Sequence, residues 1–481
     1  MKTNTQFENN LFAAPEELAM RFSGKDNRPQ EYRNMFMRDR DRILYSKSFR
    51  RLSGKTQIYL AGNDDHQRNR LTHTLEVSQI ATTIAQALGL NRDLTEAIAL
   101  GHDLGHTPFG HAGEQKLHLI MTPCGCNEIE DSPFHDMKKN WSDCSFIGFK
   151  HNLQSVRMAV SLENIYGDDG LDLTNYTLWG LQRHSSNMYS KGKMNTKYLI
   201  PTFYSQYNKY YLIKQDNNAM AWSFEAFVVA EADEIAQLHH DLEDAIRGNA
   251  MTRSEVLKTV KNNIGNIMCE EDKQFFSKMK SKCLDDESFI VFLSRIVVNT
   301  LVSKIIYASK KNLLNLKQNN NVSAETKIDF FKKNDPESDD IKKAISYCAY
   351  DENDNIFKEL RKYSNTIASK VHNSLTVQRM NIKGQYIIRK LFQAYYANPQ
   401  QLPNHSIVQF LIGENEYKSR ESAAKAIKQL GEGVVRTKFN KYYKSKKYNE
   451  ESKIGLMRVI CDHISCMTDN YAIDEFKRLY N

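Results

Sequence analysis

Proline and glycine are scarce in this chain, 9 and 21 among 481 residues. So few breakers exclude a loop-rich or collagen-like protein and leave room for long helices. Cysteine is scarce too: eight residues at irregular spacing exclude a disulfide scaffold. Cys124-Gly-Cys126 lacks the two-residue gap and the second pair of a zinc knuckle. No long apolar run is present. The most apolar stretch, Phe289 to Val298, is too short to cross a bilayer and carries Arg295. The opening residues lack the charged-then-apolar order of a signal peptide. Together these absences predict a reduced, soluble, cytoplasmic protein with no membrane partner.

Helical periodicity is what the chain has instead. Leu75, Val77, Ile80, Ala81, Ile84, Ala85 and Leu88 recur at three- and four-residue steps, and Gly89 stands where a helix would end. Further helices are predicted from Asp93 to about Leu104, Phe224 to Ile246, Tyr386 to Tyr396 and Leu456 to Leu479. No strand-type alternation competes, so the predicted fold class is mainly α. Residues 1–34 read as an N-terminal extension and 35–315 as a core with an insertion at about 116–147. The polar, Asn-rich stretch 316–341 reads as a loop or linker, and 342–481 as a C-terminal helical region packed on the core. Lys plus Arg exceed Asp plus Glu by 8 (66 against 58), which favours anionic partners such as nucleotides or nucleic acid. A solvated basic surface is the plain alternative.

One stretch concentrates titratable groups: GHDLGHTPFGHAGE, residues 101–114. The dipeptide His-Asp is not informative alone, since it occurs at 102–103, 135–136 and 240–241. Context singles out the first. His102 and Asp103 end an apolar helix, and a carboxylate buried there needs a cation or hydrogen bonds to answer it. His73 opens another apolar helix, and Asp233 lies within a third. Two imidazoles and two carboxylates from three helices would make a mixed nitrogen–oxygen site. Such a donor set suits Mn²⁺, Fe²⁺, Mg²⁺, Co²⁺ or Zn²⁺. A structural polar cluster, or a capping role for His111 and Glu114, is the alternative reading.

The order His73, His102-Asp103, Asp233 resembles the metal signature of the HD-domain phosphohydrolases. More closely, the chain resembles the deoxyguanosinetriphosphate triphosphohydrolases. The blocks that carry this are FMRDRDRILYSKSFRRLSGKTQIYL (36–60), RNRLTHTLEVSQIA (68–81), GHDLGHTPFGHAGE, GFKHNLQSVR (148–157) and FEAFVVAEADEIAQLHHDLEDAI (224–246). The resemblance implies a multi-helix HD-domain phosphohydrolase fold and metal-dependent release of triphosphate from a deoxynucleoside triphosphate, dGTP first. It implies His73, His102, Asp103 and Asp233 as ligands of a divalent ion, Mn²⁺ or Mg²⁺ foremost, and His111 with Glu114 as a catalytic pair. Arg70 and Arg183 match phosphate contacts, Gln57 a sensor of the sugar 3′-hydroxyl, and Asp241 an acidic residue of the family. Arg51 and His106 are further candidates for the substrate pocket. Where relatives carry a tyrosine beside the sugar, this chain has Gln237, a departure that bears on sugar selection. Relatives form homo-oligomers, commonly hexamers, and some respond to single-stranded DNA. Two other functions stay open: an HD-type phosphodiesterase acting on another nucleotide, and a nucleic-acid-binding regulatory protein.

Overall fold

The computed structural model describes residues 11–24, 32–57, 68–134, 148–183, 222–281, 285–336, 338–349 and 355–480. Among these residues there are twenty α-helices and no strand, with two isolated β-bridges, Arg21 to Thr174 and Thr56 to Asn69. The first seven helices are α1 (Met35–Leu44), α2 (Lys47–Arg51), α3 (Arg70–Leu88), α4 (Arg92–Gly101), α5 (Gly110–Ile120), α6 (His151–Arg157) and α7 (Asn175–Arg183). Next come α8 (Phe224–Arg247), α9 (Arg253–Ile264), α10 (Glu270–Ser281), α11 (Asp286–Asn320), α12 (Lys327–Lys333), α13 (Asp339–Lys342) and α14 (Asn355–His372). The last six are α15 (Leu375–Ala397), α16 (Asn404–Gly413), α17 (Arg420–Leu430), α18 (Gly433–Tyr443), α19 (Glu450–Ser465) and α20 (Asp469–Tyr480).

Local sequence sets the helix ends. The side chains of Asn69, Asn91 and Ser223 accept the backbone N–H of Thr72, Leu94 and Ala226, which starts α3, α4 and α8. Gly89 ends α3 in the left-handed region, at φ 65°. Helix α8 is central, packed on α3, α4, α7, α11 and α14. One apolar cluster joins Val77, Ile80 and Ile84 of α3 to Val228, Ile235 and Leu242 of α8 and to Leu293 of α11. Each such side chain contributes about 1.5–3 kcal/mol on full burial. Helix α11 is long and apolar enough to cross a membrane by length and composition, yet 56% of that window is buried inside the protein. A second cluster joins Leu117 and Ile120 of α5 to Ile388 and Leu391 of α15 and to Ile460 and Ile464 of α19. The C-terminal helices therefore pack against the helix that carries His111.

Three sequence expectations need correction. The stretch 316–341 is not a linker: α11 runs on to Asn320, and α12 and most of α13 also fall within it. Its polar composition hides Phe330 and Phe331, both buried. Trp222 lies 4.7 Å from the Phe331 ring and donates its indole N–H to the Phe331 carbonyl at 3.0 Å. The helix expected over Leu456 to Leu479 is two helices, broken between Ser465 and Asp469. The expected insertion begins inside α5, where Leu117 and Ile120 are buried core, and residues 135–147, which include the His135-Asp136 pair, lie outside the described residues.

Candidate active site

Three helices bring four donors together. Helix α3 supplies His73 from its first turn, α4 presents His102 and Asp103 just past its end, and α8 supplies Asp233. His73 Nε2 lies 3.0 Å from Asp233 Oδ1 and 3.9 Å from Asp103 Oδ2. His102 Nε2 lies 3.4 Å from Asp103 Oδ1 and 3.8 Å from Asp233 Oδ1. All are buried except Asp233, which is half-buried. His102 Nδ1 donates to the Ala99 carbonyl at 2.6 Å, which fixes the tautomer and turns the Nε2 lone pair toward the carboxylates. That chemistry fits a divalent ion: ligand atoms of His73, His102 and Asp103 lie within 4.8 Å of one another, and Asp233 adds a second carboxylate beside the two imidazoles.

The electrostatics agree with this fit. Burial pushes the Asp103 carboxyl up, but His102, His106, Arg70 and His73 outweigh it and hold the group well below the usual carboxylate range. Asp233 follows the same pattern: burial opposes ionisation, and His73 and His102 prevail. Arg70 donates Nη1 to Asp103 Oδ2 at 2.7 Å and Nε to the Thr56 carbonyl at 3.1 Å. Its Nη2 is buried with no hydrogen-bond partner among the described residues. A guanidinium N–H left over in such a place suits an anionic ligand oxygen.

A second group of side chains continues from Asp103. His106 Nε2 lies 3.3 Å from Asp103 Oδ1, and its ring stacks on His151 at 4.0 Å. Burial, with Arg70 and His151 beside it, keeps His106 well below the ordinary histidine value. Glu114 accepts from His151 Nδ1 and faces His111 Nδ1, each at 3.2 Å, with Lys150 Nζ at 3.4 Å. Burial raises the Glu114 carboxyl, but His151 and His111 hold it well below its usual range. The Glu114 side chain is buried while that of His111 is 60% exposed, so the pair has an anchored member and a reachable one.

Backbone geometry makes this possible. Phe109 and Gly110 both adopt left-handed φ, 61° and 56°, which reverses the chain before α5. A Cβ at Gly105 would sit 2.2 Å from the Ser155 nitrogen and 2.3 Å from the His151 carbonyl. Only glycine lets α6 come this close, and α6 carries His151 into the site.

Asp233, Gln237 and Asp241 are four residues apart on α8 and share one face. Gln57 Nε2 donates to Gln237 Oε1 at 3.0 Å, and Gln237 Nε2 donates to Asp241 Oδ1 at 2.7 Å. Gln57 Oε1 is buried without a hydrogen-bond partner among the described residues. Burial pushes the Asp241 carboxyl up to about 7. Two expected residues have other surroundings. Arg51 faces Glu163 at 3.9 Å. Arg183 lies over the Trp179 ring at 5.6 Å, with Asp335 as its electrostatic partner, and burial lowers it to about 10. Neither is joined to the His–Asp cluster by these contacts.

His151 and Lys150 escaped the sequence reading, although both stand in the GFKHNLQSVR block. His151 opens the mostly polar α6 (HNLQSVR), so the signal that singled out His73 was absent there. Lys55 and Asp469 were missed as well. Lys55 is fully buried and donates Nζ to the His106 carbonyl and, at 2.8 Å, to the Ser465 carbonyl.

Known proteins match over most of this chain. The HD domain matches residues 70–169, and the phosphohydrolase-associated domain matches 407–478. A deoxyguanosinetriphosphate triphosphohydrolase-like protein of Bartonella henselae is 32% identical over 461 residues, covering 93% of this chain and 90% of the relative. Its counterpart in Bartonella quintana is 31% identical over 453 residues, with the same coverage of 93% and 90%. The protein of that description in Rickettsia rickettsii is 30% identical over 454 residues, covering 94% and 92%.

Proposed function

The chain belongs to the deoxyguanosinetriphosphate triphosphohydrolase-like family of HD-domain phosphohydrolases, and from that premise we propose that it hydrolyses deoxynucleoside triphosphates, dGTP first. The products are the deoxynucleoside and triphosphate, from attack of water at the α-phosphorus. One observation carries this reading: the contact path from Asp103 through His106 and His151 to Glu114 and His111. It supports the reading of His111 and Glu114 as a proton-transfer couple beside a metal-type donor set.

His73, His102, Asp103 and Asp233 would hold the divalent ion. When bound, that ion neutralises phosphate charge and lowers the pKa of a coordinated water toward ~7. Arg70 grips a phosphate oxygen through its spare Nη2, and a guanidinium does not titrate away near neutrality. Glu114 orients the His111 ring through Nδ1. His111 Nε2 is then free to give a proton to the departing sugar oxygen, a transfer that contributes typically 10²- to 10⁴-fold. Gln57 Oε1 accepts a hydrogen bond from a sugar hydroxyl. Gln237, tied between Gln57 and Asp241, makes that edge of the pocket hydrogen-bonding rather than aromatic.

The test is to incubate purified protein with each dNTP and NTP, with Mn²⁺ or Mg²⁺, and resolve both products. One triphosphate released per nucleoside is the expected result. Orthophosphate or pyrophosphate in its place overturns the cleavage position.

A further inference from the structure

One turn beyond His73 on α3, a second group of ligand-type side chains meets α8. Glu76, His239 and His240 present ligand atoms all within 4.8 Å of one another. Both imidazoles are buried, and the Glu76 side chain is 35% exposed. Glu76 Oε2 contacts His240 Nε2 and lies 3.6 Å from His239 Nε2.

The His239 tautomer makes this arrangement informative. His239 Nδ1 donates to the Ile235 carbonyl at 3.3 Å, so in the neutral ring Nε2 carries a lone pair. That lone pair faces an anionic oxygen of the partly exposed Glu76. Two acceptors pointed at each other call for a proton, a water or a metal ion between them. The other Glu76 oxygen, Oε1, is held by Arg68 Nε at 3.2 Å, and Arg68 in turn pairs with Glu243. Arg68 therefore orients the carboxylate and leaves Oε2 to the imidazoles. Arg68, His239 and Glu243 also line a cavity of about 700 Å³, so water can reach this point.

We propose that Glu76, His239 and His240 form a second divalent-metal site, separate from His73, His102, Asp103 and Asp233. Two imidazoles, one carboxylate and an open fourth position make a donor set suited to Zn²⁺. The His240 ring lies 5.2 Å from the His73 ring, so an ion here ties α3 to α8 directly behind a ligand of the first cluster. The inference does not rest on the triphosphohydrolase reading.

The experiment strips the full-length protein with chelator, dialyses it against Zn²⁺ and counts bound metal by mass spectrometry. Wild type is expected to hold two ions per chain, Asp103→Asn one and His239→Ala one. Glu76→Gln keeps the side-chain shape while removing the anionic donor, and serves if His239→Ala does not fold. Zn²⁺ is also expected to raise the melting temperature of Asp103→Asn but not of the Asp103→Asn/His239→Ala double variant. Retention of every wild-type ion by both His239→Ala and Glu76→Gln overturns the proposal, as does a wild type whose bound ions are all lost in Asp103→Asn.

Discussion

Asp469 Oδ1 accepts the backbone N–H of Phe109 at 2.9 Å, across 360 positions of sequence. Its other oxygen accepts the Thr56 N–H at 2.8 Å and the Thr56 hydroxyl. One buried carboxylate thus fixes the residue before Gln57 and the left-handed Phe109 that leads into His111. A left-handed bulky residue costs roughly 1–2 kcal/mol and persists only where its surroundings hold it. Gly384 of α15 helps, because any Cβ there would lie 2.7 Å from the Phe109 Cβ.

Asp469→Ala leaves two buried N–H groups unpaired, at a cost of about 1–3 kcal/mol each. With the turn relaxed, kcat/KM on dGTP is expected to fall about 10- to 100-fold, since small misplacements of reacting groups cost that much. Metal content is expected to stay at the wild-type level. Steady-state kinetics alongside metal analysis checks this, and an unchanged kcat/KM refutes the positioning role.

His111→Ala separates chemistry from folding. The side chain is 60% exposed, so stability is expected to move by no more than about 0.5 kcal/mol. The rate is expected to drop by about 10²- to 10⁴-fold. Glu114→Gln is expected to lose both, because its buried carboxylate also holds His151 and Lys150. A fully active His111→Ala enzyme with intact metal binding would remove His111 from the mechanism.

Asp241 makes a stability prediction with a definite sign. Burial raises its folded-state pKa to about 7, above the unfolded value of about 3.9. Between those limits the folded chain keeps a proton that the unfolded chain has lost. The contribution is therefore fully present below about pH 4 and is lost as pH rises toward 7. Asp241→Asn removes the dependence, so the stability of the variant relative to wild type should grow across that window. Urea unfolding at several pH values measures it, and parallel curves for the two proteins contradict it.

Phe331→Ala tests the corrected 316–341 segment. Phe331 is fully buried against Trp222, and truncating such a side chain costs about 3–5 kcal/mol. Chemical denaturation reads this directly. A change near zero would mean that the segment behaves as the polar loop its composition suggests.

Helices α3, α4 and α8 were legible in the chain because their signals are local: apolar steps of three and four and, for α3, a terminal Gly. His73, His102, Asp103 and Asp233 could be singled out because a carboxylate or imidazole on an otherwise apolar helix needs a reason. Local signals failed where composition misleads, as at Phe330 and Phe331 inside a polar stretch. They were silent on His151, Lys55 and Asp469, whose roles depend on partners 37, 51 and 360 positions away. Periodicity reports which face of a helix turns inward, not which other helix it will meet. That second choice belongs to close packing, through contacts such as α6 against Gly105 and α15 against Phe109, and only the folded chain makes it.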